Sequence, residues 1–176
     1  MAWPIKLAVF RTRAYAQIFN YHLTAAQLQR FLITPKPLFV SSAKYSPPAF
    51  SLSQPLLFKL IPWVKLVALT GARAMNNAVP DDDIDLMIIT AKNRLWLTRL
   101  ILTILLFPWL RRGRKISRRL CLNLWLDETA LAIKPQNLFT AHEICQARPL
   151  FERDKLYQRF ISANLWVKTC LANWTS

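Results

Sequence analysis

Asp83 and Asp85 are separated by one residue and open an apolar run that ends at Thr90. An extended strand has a side-chain period of two, so both carboxylates lie on one face of it. Side by side they repel, a cost that a cation between them removes. Oxygen donors in this arrangement suit magnesium (or manganese), which takes one or two carboxylates and fills its shell with water and phosphate oxygens. Gly71 ends an earlier β-rich run. With no Cβ there, a phosphate can approach the backbone, the next residues' amides can bind it, and Arg73 adds positive charge. Together these parts point to metal–nucleotide binding with phosphoryl or nucleotidyl transfer. The chain has two glycines in all, and four of its nine carboxylates fall between positions 81 and 85 in a protein of net charge +15. Acids that scarce, gathered in one place, read as a working group.

The elements that must hold these residues follow from periodicity and punctuation. Val64–Leu69 reads as a strand, the residues after Gly71 as a short helix, and Ile84–Thr90 as a second strand, too short for a helix. Residues 56–63 predict a short helix leading into the first strand. A helix over 92–107 stops near Pro108, and a basic loop covers 111–119. Residues 121–126 form a third strand, which turns through Asp127, Glu128 and Thr129 into a short partner strand at 130–133. Thr140 and Glu143 make a capping box that opens a short helix, and 154–171 is an amphipathic closing helix. Upstream, 5–33 is helical, with another capping box at Thr24 and Gln27. Six of the eleven prolines (Pro35, Pro37, Pro47, Pro48, Pro55 and Pro62) mark a connection. The expected organisation is therefore an N-terminal helical appendage at 1–34, a Pro/Ser-rich linker at 35–55 and one α/β (α+β) domain at 56–176.

Composition bounds the function class. At 176 residues and 53% hydrophobic, the chain can pack one ordinary core and is not disordered. Its 24 lysines and arginines favour polyanions: nucleotide phosphates, nucleic acid or acidic lipid. Cys121, Cys145 and Cys170 form no C-x-x-C pair, which excludes a zinc ribbon and fits a reduced, cytoplasmic setting. The N-terminus, broken by Arg11 and Arg13, makes a poor signal peptide. The run 95–110 beside a basic cluster resembles a membrane anchor, but it is short of the roughly 20 residues of a span and contains Arg99. A buried helix packed on a sheet is the expectation, with membrane association through 95–119 as the alternative.

The run Thr70-Gly71-Ala72, ten residues, then Asp83-Ile84-Asp85-Leu86 resembles the signature of polymerase-β-type nucleotidyltransferases. The segment resembles the small, stand-alone bacterial branch of predicted nucleotidyltransferases, and the likeness extends through residues 74–78, 93–99, 121–125 and 140–143. Residues 15–33 resemble the first helices of a winged-helix module. The resemblance implies a small mixed sheet with packed helices and a site in which Asp83 and Asp85 ligate Mg²⁺ while Gly71, Ala72 and Arg73 meet the triphosphate. The family usually has serine after the glycine; Ala72 leaves only its amide for a phosphate.

In that family a third carboxylate on a later strand completes the site and helps activate the acceptor hydroxyl. Here the polar residue of the third strand is Asn123, an amide that adds no negative charge and cannot act as a base. Asp127 has the same strand parity and is the candidate third acid. Three outcomes stay open: catalysis with Asp127, weak catalysis without a base, or nucleotide binding without turnover. The expected activity is Mg²⁺-dependent transfer of a nucleoside monophosphate from a nucleoside triphosphate, ATP foremost, to an unknown hydroxyl. The partners this leaves room for are a protein that completes the site and nucleic acid on the basic surface. Other features read as structure: Asp81 and Asp82 as turn residues, His22 as structural, His142 as a surface residue at a helix start, and Trp96, Trp125 and Trp166 as core. No P-loop, EF-hand or H-E-x-x-H motif is present.

Overall fold

The computed structural model of the chain describes residues 2–47, 49, 55–79, 81–110 and 119–175. In chain order the elements are α1 (Ala2–Ile18), α2 (Ala25–Arg30), α3 (Pro55–Leu60), β1 (Val64–Leu69), α4 (Gly71–Ala74), β2 (Ile84–Thr90), α5 (Leu95–Leu106), β3 (Leu120–Asp127), α6 (Leu138–Gln146), β4 (Arg148–Glu152), α7 (Leu156–Ala163) and a 3-10 helix, Leu165–Thr169. They fall into two compact units.

The unit formed by Pro48–Ala132 and Gln146–Ala163 holds a four-stranded mixed sheet of order β3-β2-β1-β4. β1 pairs antiparallel with β2 and β4, and β2 pairs parallel with β3. A parallel neighbour needs a crossover, which α5 supplies. One sheet face buries Val67, Leu69, Leu86, Ile88 and Leu120 in a cluster with Phe58, Ile61, Leu102 and Leu106. Each such side chain contributes roughly 1.5–3 kcal/mol on burial. Leu156 and Phe160 of α7 are buried outside that cluster, and α7 packs on β1 and β4. The fold is α+β, as the element pattern predicts.

The other unit gathers Met1–Pro47, Ile133–Cys145 and Asn164–Ser176. The capping box at α2 is present: Gln27 N–H donates to Thr24 Oγ1 at 3.2 Å, and Thr24 N–H donates to Gln27 Oε1 at 2.9 Å. Phe31, Leu32 and Trp174 are buried, and the Trp174 indole donates to the Cys145 carbonyl at 2.8 Å.

Several local expectations change. Residues 130–133 form no strand. Thr129 N–H and Oγ1 both donate to Asp127 Oδ1, at 2.9 and 2.6 Å, and close a turn instead. The fourth strand is 148–152, hidden in sequence by Pro149; β4 is a sheet edge, where proline is tolerated, and its register shifts opposite Val67 and Ala68. The cap of α6 is Asn137, whose Oδ1 accepts from Thr140 N–H at 2.9 Å, so the helix begins before the box at Thr140. The closing helix is shorter than 154–171: Asp154 and Lys155 have φ of 56° and 51°, and Asn164 separates α7 from the 3-10 helix.

α5 departs further from its expectation. It buries Thr98, Leu102 and Leu106 but exposes Trp96, Leu100 and Ile104, so it packs by one side only. Trp96 is therefore not core. Among the described residues no helix is long and apolar enough to cross a membrane. The basic run expected at 111–119 lies outside the described residues except for Arg119.

Candidate metal centre

The site forms where β1, β2 and β3 run side by side at one end of the sheet. The ladder places Ile84 opposite Leu120 and Asp85 opposite Cys121. Thr70, one residue past β1, continues the antiparallel pairing by donating its N–H to the Asp85 carbonyl at 3.0 Å. Directly opposed residues project to the same sheet face. Leu69 and Leu86 are opposed and share the buried cluster, so Thr70, Asp85 and Cys121 belong to the other face. Asp83 shares it by the strand period. One ligand atom from each of Asp83, Asp85 and Cys121 lies within 4.8 Å of the others, and all three residues are half-buried. This cluster can hold a metal ion.

Gly71 shapes the space beside it. Its φ is 65°, in the left-handed region, and a Cβ there would stand 2.5 Å from Asp85 Oδ2. Only glycine lets the chain turn so tightly under that carboxylate. The α4 helix that follows is four residues long. Its Arg73 reaches back across the acidic loop: Nε donates to the Asp83 carbonyl at 2.8 Å and Nη2 to the Asp82 carbonyl at 2.7 Å. Those two donors hold the loop that carries Asp83, a positioning job that the sequence did not suggest. The Ala72 carbonyl accepts from Met75 and Asn77. Asp82 Oδ2 accepts from Val79 N–H at 2.9 Å, and Asp81 is exposed, so both behave as turn residues.

Asp127 is not brought to the cluster. It pairs with Thr90, five residues beyond Asp85, so it lies about 16 Å further along the strand and on the opposite face. Its carboxylate accepts from Asn93 N–H at 2.8 Å and from Thr129. Partial burial pushes its pKa up, but the hydrogen bonds from Thr129 and Asn93, with Lys92 nearby, outweigh that and hold the carboxyl below its usual range. Asp127 is thus a turn-closing residue. Asn123 fares no better: it is exposed and sits where the β2–β3 register shifts, between Leu122 and Leu124.

The residue that does stand third is Cys121, which sequence reasoning set aside as one of three scattered thiols. The available signal was topological. A strand–helix–strand crossover brings the starts of two parallel strands together, so the second residue of β2 meets the second residue of β3. Thr70 was missed as well. The residue is 4% exposed, and its Oγ1 is buried with no hydrogen-bond partner among the described residues. On the other face of β3, where α5 packs, a cleft of about 240 Å³ is lined by Arg99, Thr103, Leu122 and Trp125 among others and lies apart from the carboxylates.

No protein-family model matches the chain, and no curated protein does. Among solved structures, one described as the crystal structure of a toxin-antitoxin with AMP-PNP is 16% identical, covers 61% of this chain and 79% of its own, and superposes with a TM-score of 0.33. A likeness of that size assigns no family.

Proposed function

We propose that the protein is a divalent-cation-dependent nucleotidyltransferase, moving a nucleoside monophosphate from a nucleoside triphosphate, ATP foremost, to a hydroxyl acceptor. The observation that carries this reading is the Asp83–Asp85 pair on one face beside Gly71, with the spacing that resembles the polymerase-β-type signature. Two carboxylates fit magnesium, with water and phosphate oxygens completing the shell. When bound, the ion neutralises charge at the reacting phosphate and the pyrophosphate leaving group. The chain supplies the rest. Asp83 and Asp85 hold the ion, Gly71 keeps a side chain out of the space under Asp85, and Arg73 fixes the loop that presents Asp83. The acceptor's own contacts fall to a partner protein or to a polyanion drawn by the net charge of +15.

Incubation of the purified chain with labelled nucleoside triphosphates and Mg²⁺ tests this. Pyrophosphate release that persists unchanged in Asp83→Ala plus Asp85→Ala would sink the assignment. A second reading, nucleotide binding without turnover, is favoured by one observation: the third acid expected at Asp127 lies at the far end of β3. Calorimetry showing nucleotide binding with no pyrophosphate release selects it.

A further inference from the structure

The third donor of the cluster is a thiol, and a thiol does not fit magnesium. Mg²⁺ demands oxygen ligands and gives up water reluctantly. Sulfur selects zinc-class ions, and first-row divalent ions rise in affinity toward zinc and copper at such sites. We propose that Asp83, Asp85 and Cys121 form a three-ligand site for a thiophilic divalent ion of the zinc class.

The dimensions agree with that ion. Zinc binds sulfur at about 2.3 Å and carboxylate oxygen at about 2.0 Å, so tetrahedral ligand atoms lie roughly 3.5 Å apart. The three donors stand within 4.8 Å of one another, a spacing of the same order. A separate observation points to the same place. Among the described residues Thr70 Oγ1 is buried without a partner, on the face shared by Asp85 and Cys121 and directly opposite Asp85. A buried, unsatisfied hydroxyl is costly, and an ion or its bound water in the cluster would supply its partner. Three protein ligands leave a fourth position open, as in zinc sites that act on substrates rather than only hold a fold. The inference rests on the carboxylate pair being a cation site, a premise it shares with the proposed function, and it does not require nucleotide turnover.

Cobalt titration of the metal-stripped full chain tests it. The expected result is one equivalent of Co²⁺ bound with tetrahedral visible bands and near-ultraviolet thiolate-to-cobalt charge-transfer absorption, displaced by Zn²⁺ and not by excess Mg²⁺. Cys121→Ser should abolish the charge-transfer absorption and weaken Co²⁺ binding at least about 10-fold. Should that variant misfold, alkylation of the wild type read by mass spectrometry decides the matter: Zn²⁺ should protect half-buried Cys121 and Mg²⁺ should not. Absence of charge-transfer absorption, its persistence in Cys121→Ser, or equal alkylation with and without Zn²⁺ overturns the proposal. The two readings fail separately. A cobalt–thiolate signal in a chain that binds no nucleoside triphosphate leaves this site standing and removes the nucleotidyltransferase. Mg²⁺-dependent turnover with no cobalt–thiolate signal does the reverse.

Discussion

A Cβ placed on Gly71 would stand 2.5 Å from Asp85 Oδ2, so the glycine and the carboxylate occupy their positions only together. Gly71→Ala therefore meets two penalties: a φ of 65° that costs an L residue about 1–2 kcal/mol, and a clash that must displace the Asp85 carboxylate. The expected outcome is a loss of roughly 1–3 kcal/mol in urea-induced unfolding, together with loss of divalent-ion binding by calorimetry. A stable variant that binds the ion normally would show that Asp85 turns elsewhere when the ion arrives.

Asp127→Asn should leave divalent-ion binding at the cluster unchanged, because Asp127 sits at the other end of β3. Its effect should fall on stability, by about 1 kcal/mol, since its carboxylate closes the 127–130 turn. The sign with pH follows. A carboxyl held below its unfolded pKa stabilises the fold above the unfolded value, and that contribution fades as pH falls through the folded one. Urea melts of wild type and variant should therefore converge at acid pH.

The strands that carry the site were legible because local signals agree there: β-branched runs bounded by Gly71 on one side and the acidic loop on the other. Asp83 and Asp85 were legible for the same reason, since their relation depends only on strand period. Cys121 was not. Its place opposite Asp85 depends on register across the long crossover from Thr90 to Leu120, which no local pattern encodes. Asp127 misled by parity: the shift between Leu86 and Met87 moves the far half of β3 by one residue and puts Asp127 on the wrong face. β4 hid behind Pro149, and His142 was misread because its helix starts earlier than Thr140.

His142 is 6% exposed and stacks on Tyr15 with ring centroids 4.5 Å apart. Burial pushes its pKa down to about 4 from an ordinary 6.5. Between those values the unfolded chain binds a proton that the folded chain refuses, so stability rises with pH across the window. The contribution is full above about pH 6.5 and is lost as pH falls toward about 4, on the order of 3 kcal/mol in all. His142→Phe keeps a ring against Tyr15 and removes the titration. Unfolding free energies measured at about pH 7.5 and about pH 4.5 should differ less in the variant than in the wild type. Equal pH dependence in the two proteins would assign the acid sensitivity to other groups.

The two sides of α5 should respond to substitution in opposite ways. Leu102 is wholly buried in the cluster that also holds Leu86 and Ile88, and Leu102→Ala should cost about 2–5 kcal/mol through lost burial and a residual cavity. Leu100 and Ile104 are 60% and 63% exposed on a side that also carries Trp96. Leu100→Gln plus Ile104→Gln should change unfolding free energy by no more than about 0.5 kcal/mol per site, because little apolar surface returns to water. The same pair should reduce self-association in sedimentation velocity, since an apolar stripe of this kind drives contacts between copies. A large stability loss in the double variant would mean that this side of the helix is covered in solution, and comparison of its sedimentation with the wild type would reveal whether a second copy is the cover.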